Sequence, residues 1–518
     1  MRSTFMGLEA SKRGLFTQQS ALYTTGHNIS NANTDGYSRQ RVNMETTPGY
    51  PGSGLNAPTT AGHIGTGVQA QSVQRLRDIF VDRQYRQETN KLGYWEATTK
   101  TISQMEDVMS EPSEYGINQA FTDFWKAMED VNTNPKDTAA RQVLISKGQM
   151  LAESFNYMDT QLKLIQGNIG NEIEVTTQNA NNILKQIAEL NKQIQAVEPN
   201  GYMPNDLYDA RDVLLDQLNE IMPVSVSYEK SGGNALEIAE GSMTVKYKIY
   251  PDGNEITLVQ GKEYANISAI DAKGGTVDGD VDEQITGSYN AFKGLAISTL
   301  GYPPTATQAV NVDYSKMEPS KGKLSGLIDS YGYSEGVNVK GIYPDMFAQL
   351  DTLAKEFITA FNVQHAKGFD IGEPSQQGKE FFSGDSARSF SVEITEPKKV
   401  AASSKDGEEG NNKNMLELAK LQSAVQKNLQ GGTFQTFYKS LIGDLGVKGQ
   451  QATVLQKNSE TLHLQIENNR ASFNSVSLDE EMTNMITFQQ AYNANARMIT
   501  VVDETLDKII NGMGRVGL

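Results

Sequence analysis

The stretch Ser477-Leu-Asp-Glu-Glu-Met-Thr-Asn-Met-Ile-Thr-Phe-Gln-Gln-Ala-Tyr-Asn-Ala-Asn-Ala-Arg-Met-Ile-Thr-Val-Val-Asp-Glu-Thr-Leu-Asp-Lys-Ile-Ile-Asn-Gly-Met513 decides how this chain is organised. Leu478, Met482, Met485, Tyr492, Ala496, Ile499, Leu506, Ile510 and Met513 fall on alternating four- and three-residue steps, with Gln489 and Asp503 as polar interruptions. That is the seam of a coiled coil. Its opening, Ser477-Leu-Asp-Glu480, predicts a capping box in which Ser477 accepts from the Glu480 amide while the Glu480 carboxylate reaches back. Near the other terminus Leu8, Leu15, Leu22 and Ile29 recur every seven residues, separated by Ser11, Gln18 and Thr25. Two narrow stripes at opposite chain ends invite pairing. Both segments are otherwise rich in Gln, Asn, Ser and Thr, so one antiparallel pair would bury too little apolar surface to offset its ordering entropy. The expectation is that these helices order against further copies or partners.

Composition narrows the function classes. A length of 518 residues suggests roughly three or four domains. With 46 basic against 63 acidic residues the formal charge is −17, and no long basic run interrupts it, which argues against nucleic acid and anionic membrane as partners. No stretch approaches the roughly 20 apolar residues that span a bilayer, and Met1-Arg-Ser-Thr-Phe-Met-Gly7 lacks the apolar core of a signal peptide. The reading is a soluble chain without an ordinary export tag. The absence of cysteine excludes disulfides, thiolate catalysis and cysteine metal sites, and the four histidines are widely scattered. No catalytic, metal or cofactor site is expected.

Inward from the first stripe, Gly26-His-Asn-Ile-Ser-Asn-Ala-Asn-Thr-Asp-Gly-Tyr-Ser-Arg-Gln-Arg41 is dense in capping and turn residues, and Gly36 suits a positive φ. Pro48 to Gly67 reads as extended chain or a hairpin. Gly65-Thr-Gly-Val-Gln-Ala70 matches a dinucleotide-binding pattern, but neither a hydrophobic strand before it nor a helix after it supports that use, so a tight turn entering a strand at Val68 is expected. Arg75 to Arg83 begins a helical stretch. From Ile117 a helix carries Phe121, Phe124, Trp125, Met128 and Val131 and ends at Asn132-Thr-Asn-Pro135. From Leu151 to Val197 the three-and-four alternation persists, which predicts a helix from about Thr138 to Val197, roughly 90 Å long. Gly167 and Gly170 flank a stutter at Ile169, so two shorter helices with a kink are the alternative. The aspartates of Pro204–Leu218 read as caps and solvated pairs, with Arg211 keeping Asp212 and Asp216 apart, ahead of a metal set.

From Val224 the period changes to two, in Val224–Tyr228, Leu236–Ile238, Val245–Ile249 and Ile256–Leu258, and marks a β-rich insertion reaching roughly to Tyr331. Asp278, Asp280 and Asp282 imitate a calcium loop, but Glu283 stands where its glycine belongs and Tyr289 where its last ligand belongs. Gly332-Tyr-Ser-Glu-Gly336 matches a serine-hydrolase elbow, with Ser334 as nucleophile and His365 and His463 downstream. An elbow needs a helix straight after the serine, whereas Val337 to Pro344 brings Gly and Pro there; a glycine turn back to the helices is the ordinary reading. The return helix, Pro344 to Asn362, buries Phe347, Leu350, Leu353, Ala354, Phe357, Ile358 and Phe361, and His365 reads as a C-terminal residue favoured by the helix dipole. Lys405 to Lys413 reads as a mobile loop, and helical pattern resumes over Met415–Leu429 and Phe434–Phe473.

The order is therefore heptad end, helices, β insertion, helices, heptad end. Only a discontinuous architecture brings both ends together, and translated copies packing through those ends give a helical tube. Several stretches carry a resemblance: Asn28-Ile-Ser-Asn-Ala-Asn-Thr34 leading into Gly36-Tyr37-Ser38-Arg39-Gln40, Arg75–Arg83, Pro204–Leu218, His365–Asp370, Glu481–Ile499 and Asp503–Asp507. They resemble the axial proteins of the bacterial flagellum, and the hook-associated protein 1 family in particular. The resemblance implies an α+β, discontinuous multidomain axial protein: a terminal coiled-coil core at 1–40 and 475–518, a helical rod domain with a β-hairpin at 41–222 and 341–474, and a β-rich outer domain at 223–340. It implies a structural subunit at the hook-filament junction, exported by the flagellar type III apparatus, with hook protein and hook-associated protein 3 as neighbours and an export chaperone on the C-terminal helix. The assembly interface would comprise Leu8, Leu15, Leu22, Asn28, Ile29, Asn31, Asn33, Gly36, Tyr37, Arg39, Gln40, Met482, Met485, Gln489, Tyr492, Asn495, Ile499 and Leu506. The alternatives are a hook, rod or filament subunit of the same family, a serine hydrolase through Ser334, and a cytoplasmic coiled-coil adaptor.

Overall fold

The computed structural model describes residues 5–50, 65–110, 116–250, 253–272, 275, 291–317, 321–335 and 338–512. Asp278, Asp280, Asp282 and Gly336 lie outside them. The helices are, in chain order, α1 (Met6–Ser30), α2 (Ile79–Met109), α3 (Ile117–Thr133), α4 (Thr138–Val197), α5 (Asn205–Ile221), α6 (Lys323–Tyr331), α7 (Ile342–His365), α8 (Lys413–Lys420), α9 (Phe434–Asn474) and α10 (Leu478–Gly512).

The frame is α4, a single helix of 60 residues. Asp137 caps its start by accepting from the Ala139 amide at 2.8 Å, just beyond the helix-excluding Pro135. Gly167 and Gly170 do not break it: both are buried, and beside them Gln166 Nε2 donates to the Tyr331 carbonyl of α6 at 2.6 Å. The first half of α4 packs on α3 and α7 around Phe121, Phe124, Phe155, Phe357, Phe381 and Phe390. Many of these rings meet edge to face, as Phe121 and Phe357 do at 5.2 Å, the arrangement favoured by the ring quadrupole.

The second half of α4 carries the strands. β1 (Gln40–Thr46) and β2 (Val68–Arg75) form a separate antiparallel hairpin against α1, with a bulge at Asn43/Met44. Then β3 (Ser225–Glu229), β4 (Ser242–Lys248), β5 (Glu255–Gln260) and β6 (Glu263–Tyr264) form a four-stranded antiparallel sheet in sequence order. A second sheet places β7 (Ile267–Asp271), β8 (Phe292–Thr299) and β9 (Thr305–Asp313) with the short hairpin β10 (Tyr333–Glu335) and β11 (Asn338–Lys340), where β10 runs parallel to β8. Two asparagines of α4 dock these sheets. The Asn191 side chain donates to the Met243 carbonyl at 2.8 Å and accepts its amide at 3.0 Å, and Asn181 does the same for Ile267 at 2.8 and 2.7 Å. A last hairpin, β12 (Phe382–Ser383) with β13 (Ser391–Val392), closes the aromatic core.

Local expectations shift at several points. Arg75 ends a strand and the helix begins only at Ile79, where Asp78 can cap it. The helix expected over Met415–Leu429 stops at Lys420. The Lys405–Lys413 stretch is a turn held by Asn411 Nδ2, which donates to Ser404 Oγ at 3.1 Å and Glu408 Oε2 at 2.8 Å.

Candidate assembly site at the joint of the two termini

The chain ends meet as an antiparallel pair, α1 against α10. The contact line on α1 lies one residue ahead of the leucine heptad. Gly14, Thr17, Ala21, Thr24 and Asn28 are buried at alternating three and four spacings, whereas Leu8, Leu15, Leu22 and Ile29 are half-buried. Small side chains let the helices approach closely: a Cβ on Gly14 would stand 2.9 Å from Asn495 Oδ1. On α10, Glu481 is buried, and Asn484, Met485, Phe488, Tyr492, Asn495, Ile499 and Leu506 are half-buried, while Met482 and Gln489 are exposed.

Asn28 organises the joint. Its Nδ2 donates to the Gln40 carbonyl at 2.8 Å and to Glu481 Oε2 at 3.2 Å; its Oδ1 accepts from the Gln40 amide at 3.0 Å and from Tyr37 Oη at 2.8 Å. One side chain thus satisfies both the backbone N–H and the backbone C=O of Gln40 and reaches the far end of the chain. Arg39 adds ion pairs to Glu481 at 2.8 Å and Glu480 at 2.6 Å, and its amide donates to the Asn474 carbonyl. Glu480 is therefore engaged by Arg39 instead of closing a capping box on Ser477. Gly36 takes φ +76°, and any Cβ there would run into Val213 of α5, so glycine is required twice over. Asn31 bonds the His27 carbonyl at 3.0 Å as a local helix stop, and Asn33 is exposed.

Beneath the joint lies a charge cluster that reading the sequence locally missed. Arg75 reaches Asp209 at 2.7 Å, Asp212 at 2.9 Å and also Glu240; Arg77 reaches Asp212 and Asp82; Arg86 reaches Asp216 at 2.7 Å and Asp212 at 3.2 Å. Arg470 of α9 joins Asp216 at 2.7 Å and Asp82 at 2.8 Å, and Arg211 joins Glu240 at 2.8 Å. Asp212 and Asp216 are thus not solvated, and Arg86 bridges them where Arg211 was expected to stand between. Burial alone would raise the Asp212 carboxyl, but Arg77, Arg75, Arg86 and Arg211 together hold it far below the usual carboxylate range. For Asp209 burial prevails over Arg75 and the carboxyl is raised. Ser38 N donates to Asp209 at 3.0 Å, and the Gln40 side chain is bracketed by Asp206 and Asn205, so the loop after α1 is fastened to α5 as firmly as to α10.

The hydrolase geometry is not assembled. Ser334 sits in β10 opposite Val339 of β11, with strand where an elbow has helix. His365 is buried and neutral: Nε2 accepts from the Ala401 amide at 2.9 Å, leaving Nδ1 to donate to the Lys379 carbonyl at 2.6 Å. Burial pushes its pKa down to about 4, so the helix dipole does not keep it charged. His463 packs its ring against Tyr85 at 4.8 Å. Among the described residues no group of His, Asp or Glu could hold a metal ion, and no helix is long and apolar enough to cross a membrane.

Both terminal helices match known families: residues 8–37 the flagella basal body rod protein, and 473–512 the flagellar basal body rod FlgEFG protein C-terminal. Paired ends of this kind on a helical shaft define a flagellar axial protein, a structural component of the flagellum. Residues 102–382 match the flagellar hook-associated protein FlgK helical domain. Flagellar hook-associated protein 1 of Bacillus subtilis (strain 168) is 42% identical over 99% of both chains, and that of Escherichia coli (strain K12) is 26% identical over 96% of this chain and 98% of its own. The fold is also that of the flagellar hook junction protein FlgK from Burkholderia pseudomallei, with a TM-score of 0.59 at 13% identity, covering 76% of this chain and all of that one. The chain belongs to the flagellar hook-associated protein 1 family.

Proposed function

We propose that this chain is the subunit that joins hook to filament, installed outside the cell after type III export and held in a helical tube of its own copies by α1 and α10. The observation that carries this reading is the joint itself: residues 453 positions apart close on each other at Asn28–Glu481, while Phe16, Tyr23, Met482, Ile486 and Met498 of the same two helices remain more than half exposed. Apolar side chains left in water on a pair this narrow await neighbours. The assembly residues are those assigned from the sequence together with Glu481, Asn484 and Phe488. On this reading the chain divides into terminal core, rod and β-rich outer part, and the role is structural, without catalysis. Hook protein below, hook-associated protein 3 above and an export chaperone on α10 are the partners this position requires.

Immunogold labelling of isolated flagella tests it: label confined to the hook-filament boundary is expected, and label along the hook or filament shaft would exclude the junction.

A further inference from the structure

Where α2 meets the end of α5 and the start of β3, a cleft of about 600 Å³ opens, within the size range of small-molecule sites. Its charge is opposite to that of the molecule. The chain carries a formal charge of −17, yet Arg86, Lys91, Lys248 and Lys321 line the cleft and, among the described residues, no aspartate or glutamate does. Three of these cations are answered from behind: Arg86 by Asp216 at 2.7 Å and Asp212 at 3.2 Å, Lys91 by Glu88 at 3.0 Å, and Lys321 by Asp329 at 2.5 Å. Lys248 forms no ion pair among the described residues, and Glu255 of the neighbouring strand is taken by Lys246 at 3.0 Å. An aromatic pair and polar groups complete the wall. Tyr94 and Trp95 meet edge to face at 4.9 Å, and Lys321 covers the Tyr94 ring at 4.9 Å, whereas the half-buried Trp95 has no cation over it among the described residues. Asn90 is buried with its Nδ2 fixed to the Asn219 carbonyl at 2.8 Å, but its Oδ1 and the Trp95 Nε1 have no hydrogen-bond partner among the described residues. Gln87, also on the wall, is exposed.

We propose that this cleft binds a saccharide that carries a single carboxylate. The Lys248 ammonium pairs with the carboxylate, Asn90 Oδ1 and the Gln87 amide take ring hydroxyls, and Trp95 packs against a C–H face of the sugar. The open groups are one acceptor, one indole donor, an amide that does either, and one uncompensated cation; hydroxyls, which donate and accept at once, satisfy such a mixed set. A polyphosphate calls for several unanswered cations or an open arginine fork, and Arg86 already directs its Nε and Nη2 at α5. An apolar ligand would strip water from Asn90 and Lys248 without replacing it. No residue of the terminal joint lines the cleft, so its ligand is tested independently of where the chain is installed.

The chain has two tryptophans, and Trp125 is buried in the aromatic core, so Trp95 reports on the cleft. The purified full-length chain is titrated with glucuronic acid and with N-acetylmuramic acid, and with glucose, inorganic phosphate and triglutamate as comparisons. A saturable change in tryptophan emission is expected with at least one acid sugar, and glucose should bind about tenfold more weakly because it lacks the charge-assisted contact. Lys248→Gln, at an exposed position, should keep the melting curve and bring the acid sugar down to the level of glucose. Trp95→Phe, followed by calorimetry, should weaken both sugars alike. No saturable signal with either acid sugar, or a Lys248→Gln chain that binds them as tightly as the parent, overturns the site. Phosphate or triglutamate bound as tightly as the sugars would mark a simple anion or peptide site and overturn the saccharide.

Discussion

Asn28 is placed to behave as a piece of backbone, pairing with both the N–H and the C=O of Gln40 while reaching Glu481. Asn28→Asp removes the donor and sets a second carboxylate against Glu481; the expected cost is about 3 kcal/mol, read as a lower thermal midpoint and loss of hydrogen-exchange protection in α1, whereas a change below about 0.5 kcal/mol would show the joint to be incidental. Arg75 answers to three carboxylates, two of them buried, so Arg75→Ala leaves uncompensated charge and should lower stability by about 3–5 kcal/mol in denaturant titrations. His365 gives a pH signature. Its folded pKa of about 4 lies below the ordinary 6.5, so the unfolded chain takes up the proton first as pH falls. The stabilisation is fully present above pH 6.5 and is lost on the way down to pH 4, on the order of 3 kcal/mol in all. Asp212, also depressed, loses its contribution only at lower pH, below the usual carboxylate range. A stability profile flat between pH 6.5 and 4 would remove the assignment for His365.

At the scale of elements, close backbone approach does what large side chains do elsewhere. α6 crosses α2 where a Cβ on Gly326 would fall 2.7 Å from the Tyr94 carbonyl, and one on Gly93 would fall 2.7 Å from the Glu220 carbonyl. Alanine has the better helix propensity, yet Gly326→Ala is expected to cost about 1–3 kcal/mol by forcing the helices apart, the opposite sign from an exposed glycine. A stabilised Gly326→Ala protein by thermal melting would contradict the contact. The uninterrupted α4 has the same logic: Gly167 and Gly170 are buried against neighbours, and tertiary contact more than offsets their weak propensity.

For the molecule as a whole, stability is graded from shaft to termini. The shaft and sheets bury a large aromatic and aliphatic core, whereas the terminal pair buries threonine, alanine, glycine and asparagine. Limited proteolysis of the monomer should remove both ends early and leave a resistant middle. Deleting residues 477–518 should preserve the circular dichroism of the shaft but abolish installation in the flagellum; a truncated chain recovered at the junction would refute the role of α10. Long-period patterns were legible in the sequence because each is set by local repetition: the three-and-four alternation of α4 and the strand alternation at Val224–Tyr228, Val245–Ile249 and Ile256–Leu258, although Leu236–Ile238, read the same way, forms turns instead of a strand. The contact line of α1 was not, since a row of glycine, threonine and alanine gives no hydrophobic signal and its closeness depends on the partner helix. Nor was the cluster of Arg75, Arg77, Arg86, Arg211 and Arg470 with its carboxylates, because those residues are scattered over four segments, and whether an aspartate such as Asp212 is a solvated surface group or a buried ion-pair member is decided only when α2, α5, α9 and the loop before β4 close around it.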